Sequence, residues 1–482
     1  MSTVGRIAKN TVVMFFGEIV GKVLALIFVI YVARYLQAEG FGILSFALAF
    51  TGMFNIFSDI GFYELIVREV ARNKKLADKY VGSVATLKAI IVTIMFGSMC
   101  LAINAMGYPF QIIKIVYIIG LSIVFDAYTM VSNAIFQAFE KMEYISIGKI
   151  LKNTLLLVGA LLIISNGYGL IAFACLYLLT SLVVLIYSLS VMVCYFTKPK
   201  LKIDVNFWRW LLKEGVPFWA SSVFVAIYHN IDKVMLSMMV GNEAVGFYSA
   251  AYKLIASMNF IPIAFIGSVF PVTSRLYLSS KDSLKFAFER SFKYMLILGT
   301  LLGVLTVTLA EKIITSIYGE GYLPSIAILQ ILIWAEVFLF MNVALGNLLR
   351  SINRQIIITY LTAFGCLLNV IMNLLLIPSY GCLGASFATV MTRFFVFLLL
   401  STWVIRSGYR LSDEVLASAL KVFVTISLAI TIYYLFDFNS YLFAASFVMI
   451  FLTMLYFLKI IDDVDKKLIK NVVLSFRIIK ED

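Results

Sequence analysis

Apolar residues run in blocks of 20 or more along this chain, separated by short clusters rich in Gly, Pro, Lys and Arg. Blocks of that length suit helices that cross a hydrocarbon layer of about 30 Å, at about 1.5 Å of rise per residue. Taking Gly, Pro and charge as boundaries, the pattern predicts fourteen helices. They cover 10 to 34, 42 to 67, 82 to 106, 111 to 137, 146 to 165, 169 to 196 and 211 to 239. The remainder cover 246 to 273, 293 to 317, 323 to 349, 356 to 377, 381 to 405, 415 to 436 and 440 to 460. The expected fold is an all-α polytopic membrane protein. The first block is too long for a signal-peptide core and is read as the first span.

Charge tests that count. About 29 of the 39 basic residues fall in alternate connections, among them Arg68, Arg72, Lys74 and Lys75, then Lys198, Lys200 and Lys202, then Arg275, Lys281 and Lys285, then the C-terminal Lys459 to Lys480. The other seven connections hold none. One missed or extra span would scramble so clean a partition, and the positive-inside rule puts both termini in the cytoplasm of a protein in the cytoplasmic membrane. The net charge of +13 has the same origin, so a nucleic-acid partner is not implied. Membrane lipids are the partners it does imply. Five scattered cysteines and one histidine support neither a disulfide framework nor a metal site.

An internal repeat organises the helices. RYLQAEGFGILSFA (34 to 47) aligns without gaps to MMVGNEAVGFYSAA (238 to 251), and YGLIAFACLYLLT (168 to 180) to YGCLGASFATVMT (380 to 392). The expected organisation is an N-lobe at 1–200 (helices 1 to 6), a C-lobe at 201–410 (helices 7 to 12), a helix pair at 411–460 and a basic cytoplasmic tail at 461–482. Six helices per lobe is an even number, so both repeats enter the membrane in the same sense, about an axis along its normal. A cleft between the lobes follows.

The segments DIGFYELIVREVAR, IDKVMLSMMVGNEAVGFYSAAYKLI, FPVTSRL, YGEGYLPSIAILQILIWA and YGCLGASFATVMTRF together resemble the polysaccharide-transporter flippases of the multidrug/oligosaccharidyl-lipid/polysaccharide exporter superfamily. The resemblance covers nearly the whole chain and rests on small-residue turns and packing faces. It implies transport of a polyprenyl-phosphate- or pyrophosphate-linked oligosaccharide by alternating access, for cell-surface polysaccharide biosynthesis. A polysaccharide polymerase or glycosyltransferases join the expected partners on the same ground. Drug exporters of the superfamily commonly have twelve helices, and fourteen fits the polysaccharide branch better.

Charges inside the spans carry the candidate chemistry, because even one costs about 2.5 to 3.5 kcal/mol at a helix centre and must face a partner or a wet cavity. Counting from span ends puts Glu336 and Arg393 near the midplane of one lobe, Asp232 and Lys253 at similar depth on adjacent helices, and Glu18 and Lys22 on one face of the first helix. Arg34 and Lys152, near helix ends, are read as snorkelling. By the repeat offsets Lys22 aligns with Ala226, Lys253 with Ala49 and Arg393 with Ser181, so packing repeats and charge does not. Lys22, Lys253 and Arg393 are therefore the expected phosphate site. Glu336, Asp232, Asp126 and Glu18 are expected to be ion pairs or coupling groups. No bound cofactor is expected, and a H+ or Na+ gradient is the candidate driving force. Asn133, Asn342, Asn369 and Asn373 are candidate sugar contacts, and His229 a candidate proton carrier. No cluster of nucleophile and base and no large loop domain points to an enzyme. A cation-coupled exporter of small amphiphiles is the competing reading.

Overall fold

The computed structural model describes residues 3–436, 440–457 and Asp465. The expected cytoplasmic tail at 461–482 lies outside them except for Asp465. Fourteen α-helices and no strand occur among the described residues: α1 (Thr3–Asn55), α2 (Phe62–Arg72), α3 (Ala77–Ala105), α4 (Phe110–Ala138), α5 (Met142–Ser165), α6 (Leu170–Tyr195), α7 (Val205–Met239), α8 (Asn242–Ser257), α9 (Phe260–Ser279), α10 (Lys281–Tyr318), α11 (Ser325–Ser351), α12 (Gln355–Arg406), α13 (Asp413–Phe436) and α14 (Ser440–Phe457). Nine helical segments among the described residues are long and apolar enough to cross a membrane. The protein is a helical, multi-pass membrane protein.

These helices do not coincide one for one with the predicted ones. The 53 residues of α1 would reach about 80 Å if straight, far beyond one hydrocarbon layer. Gln37 breaks it (φ 55°, ψ −177°), between the first two predicted helices. Its Nε2 donates to the carbonyl of Arg34 at 2.7 Å, which helps hold a backbone state that a non-glycine residue seldom adopts. Gly381 (φ 54°) divides α12 in the same way.

Two predicted helices are cut instead. The second, expected to run to residue 67, stops at Asn55; Asp59 is extended and Gly61 left-handed (φ 71°). Asp59 Oδ1 then accepts the Phe62 amide at 2.9 Å, satisfying one of the free donors that opens α2. Along α2 the buried Phe62, Leu65, Ile66 and Val70 form one face, and Glu64 and Arg68 lie off it. That is the pattern of an interfacial helix, not of a continuing span. The eighth predicted helix likewise divides into α8 and α9 at Met258 and Asn259, with Pro262 in the first turn of α9, where its missing N–H costs nothing.

Packing separates the chain into two compact units. The first comprises Met1–Ser257, Ile317–Ile328 and Thr362–Thr392; the second comprises Met258–Ser316, Leu329–Leu361 and Arg393–Asp482. They cut across the two lobes of the repeat, and being defined by packing they do not bear on whether the chain was built from repeats. Phe62, Leu65, Tyr80, Val84, Ile135 and Phe136 centre the core of the first unit, and Phe288, Phe292, Met295, Phe340 and Leu348 that of the second. Hydroxyls inside spans, such as those of Thr51, Thr180 and Thr308, donate to the carbonyl four residues back and so need no water.

Within the first unit the repeated turns meet. A Cβ on Gly42 would lie 1.7 Å from the Asn242 carbonyl oxygen, and one on Gly246 would lie 1.9 Å from that of Ala38. These two glycines are equivalent positions of the sequence repeat. Their conservation of type within the chain has a steric cause: only a hydrogen fits where the two backbones touch.

Candidate functional site

One set of charged and polar groups of the first unit lies on α7, α8 and the middle of α12. His229, Asp232 and Lys233 follow one another at helical spacing on α7, and Tyr248 and Tyr252 stand one turn apart on α8. Asp232 is 5% exposed. Its Oδ2 accepts the hydroxyls of Tyr248 (2.6 Å) and Thr389 (2.9 Å), and its Oδ1 accepts the Asn373 amide (2.6 Å). Asn373 also donates to Asn369 Oδ1 at 3.1 Å. Three neutral donors thus take the place of the counter-ion that a buried carboxylate ordinarily needs. The depth estimate paired Asp232 with Lys253, but its carboxylate is occupied by this polar set.

The same set is made only of hard oxygen and amide groups. Asn373 Oδ1 and Asn369 Nδ2 have no hydrogen-bond partner within it. One carboxylate, amide oxygens and a hydroxyl suit a small hard cation better than a thiophilic metal. Among the described residues no group of three His, Cys, Asp or Glu could hold a metal. Asp232, Asn369, Asn373 and Thr389 are the residues that could take a coupling cation or proton.

A cationic group lies beside it. The Lys233 ammonium sits over the Tyr252 ring at 4.6 Å, and the Tyr252 hydroxyl meets His229 Nδ1 at 3.0 Å. Tyr252 in turn stacks on Tyr248 (5.9 Å between centroids, 18°). Lys233 is buried, whereas His229 and Lys253 are exposed. Among the described residues no carboxylate pairs with Lys253. An exposed lysine within a membrane-spanning segment, with no carboxylate partner among the described residues, is a feature of this unit that packing alone does not account for.

Other expected charges resolve into pairs. In the second unit Arg393 Nη1 meets Glu336 Oε1 at 2.9 Å, with both residues 4% exposed. Arg393 also donates to the Ala335 carbonyl at 3.2 Å, and Asn342 caps the Arg393 carbonyl at 3.2 Å. The pairing read from depth is present, and it engages the guanidinium that was expected to grip phosphate. Lys22 and Glu18 pair at 3.5 Å across one helical turn, and Glu18 also meets Lys149. Lys22 and Lys253 belong to the first unit and Arg393 to the second. Asp126 is held by Lys152, at 2.8 Å to each oxygen, so Lys152 is an ion-pair partner and not a snorkelling residue. Arg34, which is exposed, donates from Nε to the Ile317 carbonyl at 2.7 Å. Lys88, 1% exposed, donates to the Ala127 carbonyl at 2.9 Å and lies 3.9 Å from Asp59.

Sequence reasoning missed Tyr248 and Thr389, because a hydroxyl in an apolar helix carries no charge signal. It also missed the pairing of Lys88 with Asp59. The break after Asn55 that turns Asp59 toward α3 leaves no mark in the apolar pattern.

The model of a family described as polysaccharide biosynthesis protein matches residues 7–277, and the MatE model matches residues 217–375. An uncharacterized membrane protein of Methanocaldococcus jannaschii, MJ1068, is 28% identical over 210 residues, and the match spans 43% of this chain and 41% of that protein. The probable low-salt glycan biosynthesis flippase Agl15 of Haloferax volcanii is 21% identical over 395 residues, 80% of this chain and 81% of the relative. Among solved structures, the lipid II flippase MurJ in an inward closed conformation superposes with a TM-score of 0.73 at 16% identity, covering 94% of this chain and 100% of that one. The MurJ likeness establishes the fold, and the match over residues 7–277, more than half the chain, establishes that this protein belongs to the polysaccharide biosynthesis protein family.

Proposed function

We propose that this protein is a flippase that carries a polyprenyl-phosphate- or pyrophosphate-linked oligosaccharide across the cytoplasmic membrane by alternating access. Lys253 is the observation that carries the reading: an exposed lysine inside a spanning segment, with no carboxylate partner among the described residues, close enough to Lys233 for their charges to interact. A buried ion pair serves packing, whereas an accessible lone cation in a membrane has use for an anion. A phosphate is the anion that the lipid carriers of glycans supply. Family membership and the names of Agl15 and MurJ favour the same substrate class.

In this reading the N-lobe (1–200) and C-lobe (201–410) rock about the Gly42 and Gly246 seam, with 411–460 as an added helix pair and both termini cytoplasmic. Lys22 assists Lys253 when Glu18 turns to Lys149. The Asp232 set takes the driving H+ or Na+. Glu336 and Arg393 stabilise the second unit. A polysaccharide polymerase or glycosyltransferases would supply or consume the cargo.

A cation-coupled exporter of small amphiphiles is the second reading, favoured by the MatE match over residues 217–375. Reconstituted vesicles separate the two. With a labelled polyprenyl-pyrophosphate glycan, Lys253→Gln should lower flipping by about tenfold, the worth of one charge-assisted hydrogen bond. Asp232→Asn should instead abolish the dependence on an imposed H+ or Na+ gradient. Wild-type flipping by Lys253→Gln at equal protein level refutes the phosphate role. A wild-type protein that moves lipophilic cations and no lipid-linked glycan favours the exporter.

A further inference from the structure

A small polar cavity of about 210 Å³ opens in the first unit, where the second span breaks before α2. Asn55, Ser58, Asp59, Glu64 and Trp219 are among its walls. At about 30 Å³ per water it has room for about seven waters, which is the scale of one sugar ring and below the drug-sized pockets that start near 300 Å³.

Its chemistry is acceptor-rich around a fixed aromatic face. Trp219 is held by its Nε1 donating to the Ile56 carbonyl at 2.9 Å and by the Phe57 ring, 5.7 Å away. Asp59 spends Oδ1 on the Phe62 amide and faces the buried Lys88 at 3.9 Å, leaving Oδ2 without a hydrogen bond among the described residues. Ser58 donates to Asn55 Oδ1 at 3.0 Å, which leaves the Asn55 amide hydrogens for a ligand. Glu64 is exposed and no cation among the described residues pairs with it, since its neighbour Arg68 is taken by Glu69 and Glu214. Lys88 offsets Asp59, so the wall keeps an excess of one negative charge. The field is felt next door: burial, then the charges of Glu64 and Asp59, push the Tyr63 hydroxyl up to about 12.

We infer that this cavity is a monosaccharide subsite, in which the Trp219 face packs against the C–H face of a sugar ring while Asp59, Glu64 and Asn55 bind its hydroxyls, and that it admits a neutral or amine-bearing sugar and rejects a uronic acid. Carboxylates are strong acceptors for paired hydroxyls, and an aromatic face carries the negative quadrupole that C–H groups prefer. A carboxylate on the sugar would meet Glu64 with no cation between them, and like charges disfavour one another at that range. A free inorganic cation would need more than two carboxylates' worth of convergent oxygens, one already committed to Lys88. The inference rests on the flippase reading for the origin of its sugar.

Three probes test it: a short-chain polyprenyl pyrophosphate bearing one hexose, the same carrier bearing one hexuronic acid, and the bare carrier. Asp59 caps α2 and is left intact. Glu64→Gln and Trp219→Leu should each lower flipping of the hexose probe by about tenfold, leave the bare carrier within about twofold, and Glu64→Gln should narrow the wild-type preference for hexose over hexuronate. Equal losses on the hexose probe and the bare carrier, or no wild-type preference between the two sugars, overturns the subsite while leaving the flippase standing. Binding is read separately as the fluorescence change on adding the hexose probe to detergent-purified protein, taken as the difference between wild type and Trp219→Phe. A change with the hexose probe and none with the bare carrier supports the subsite even if wild type moves none of the three, the result that would remove the flippase reading alone. No difference signal at saturating probe overturns the subsite.

Discussion

Removing Arg393 should cost more than removing Arg393 and Glu336 together. The pair is 4% exposed on both sides, with 2.9 Å between Nη1 and Oε1, and Glu336 Oε2 has no hydrogen-bond partner among the described residues. With charge centres about 4 Å apart and an effective dielectric near 20, the attraction is about 4 kcal/mol. Arg393→Met leaves Glu336 buried without its guanidinium, a change that ordinarily costs about 3 to 5 kcal/mol. Glu336→Leu strands the cation to a similar degree. The double variant fills the site with apolar side chains and strands nothing, so its stability should return to within about 1 kcal/mol of wild type. The assay is a double-mutant cycle by equilibrium unfolding in mixed micelles, with an expected coupling of about 3 kcal/mol or more. Additive losses, with the double variant the least stable of the four, would refute the argument. They would show that the two side chains are stabilised by other neighbours and not by each other.

Two further outcomes follow from the same structure. Gly42→Val sets a side chain where 1.7 Å separates its Cβ from the Asn242 oxygen, whereas Gly97 has nothing within 4 Å; flipping should fall at least about tenfold in the first and persist in Gly97→Ala, and normal transport by Gly42→Val would disprove the close approach. In a background without its five cysteines, Ser165→Cys should react with an impermeant thiol reagent added to intact cells and Ser279→Cys should not; labelling of Ser279→Cys would reverse the assigned orientation.

How much of the site was legible follows from what a linear pattern records. Depth along a span is a count of residues, so Glu336 and Arg393 were matched by counting alone. Glu18 and Lys22 were matched because a helix puts residues four apart on one face. The Asp126 and Lys152 pair was not, since each sits on its own helix and nothing in either run says which way the helix is rotated. The Asp232 set is harder still: its partners Tyr248, Asn373 and Thr389 come from three stretches of chain and two carry only a hydroxyl. The wet or dry state of each deep charge was also out of reach. Lys253 and Arg393 look alike in the sequence, yet one is exposed with no counter-ion among the described residues and the other is buried against Glu336.

The sequence by itself determined that this chain is helical, that it crosses a membrane many times, and that it carries an internal repeat. Each follows from terms summed along the chain: apolar length against hydrocarbon thickness, basic residues against one side, and glycine recurring where backbones must touch. Tertiary structure alone decided where the long helices break, which charges neutralise one another, and which cavity is lined by Asp59, Glu64 and Trp219. Those outcomes depend on the rotation and mutual placement of helices, set by side-chain packing between segments far apart in the chain. In a low-dielectric interior a shift of a few ångströms there decides whether a charge is paired or free.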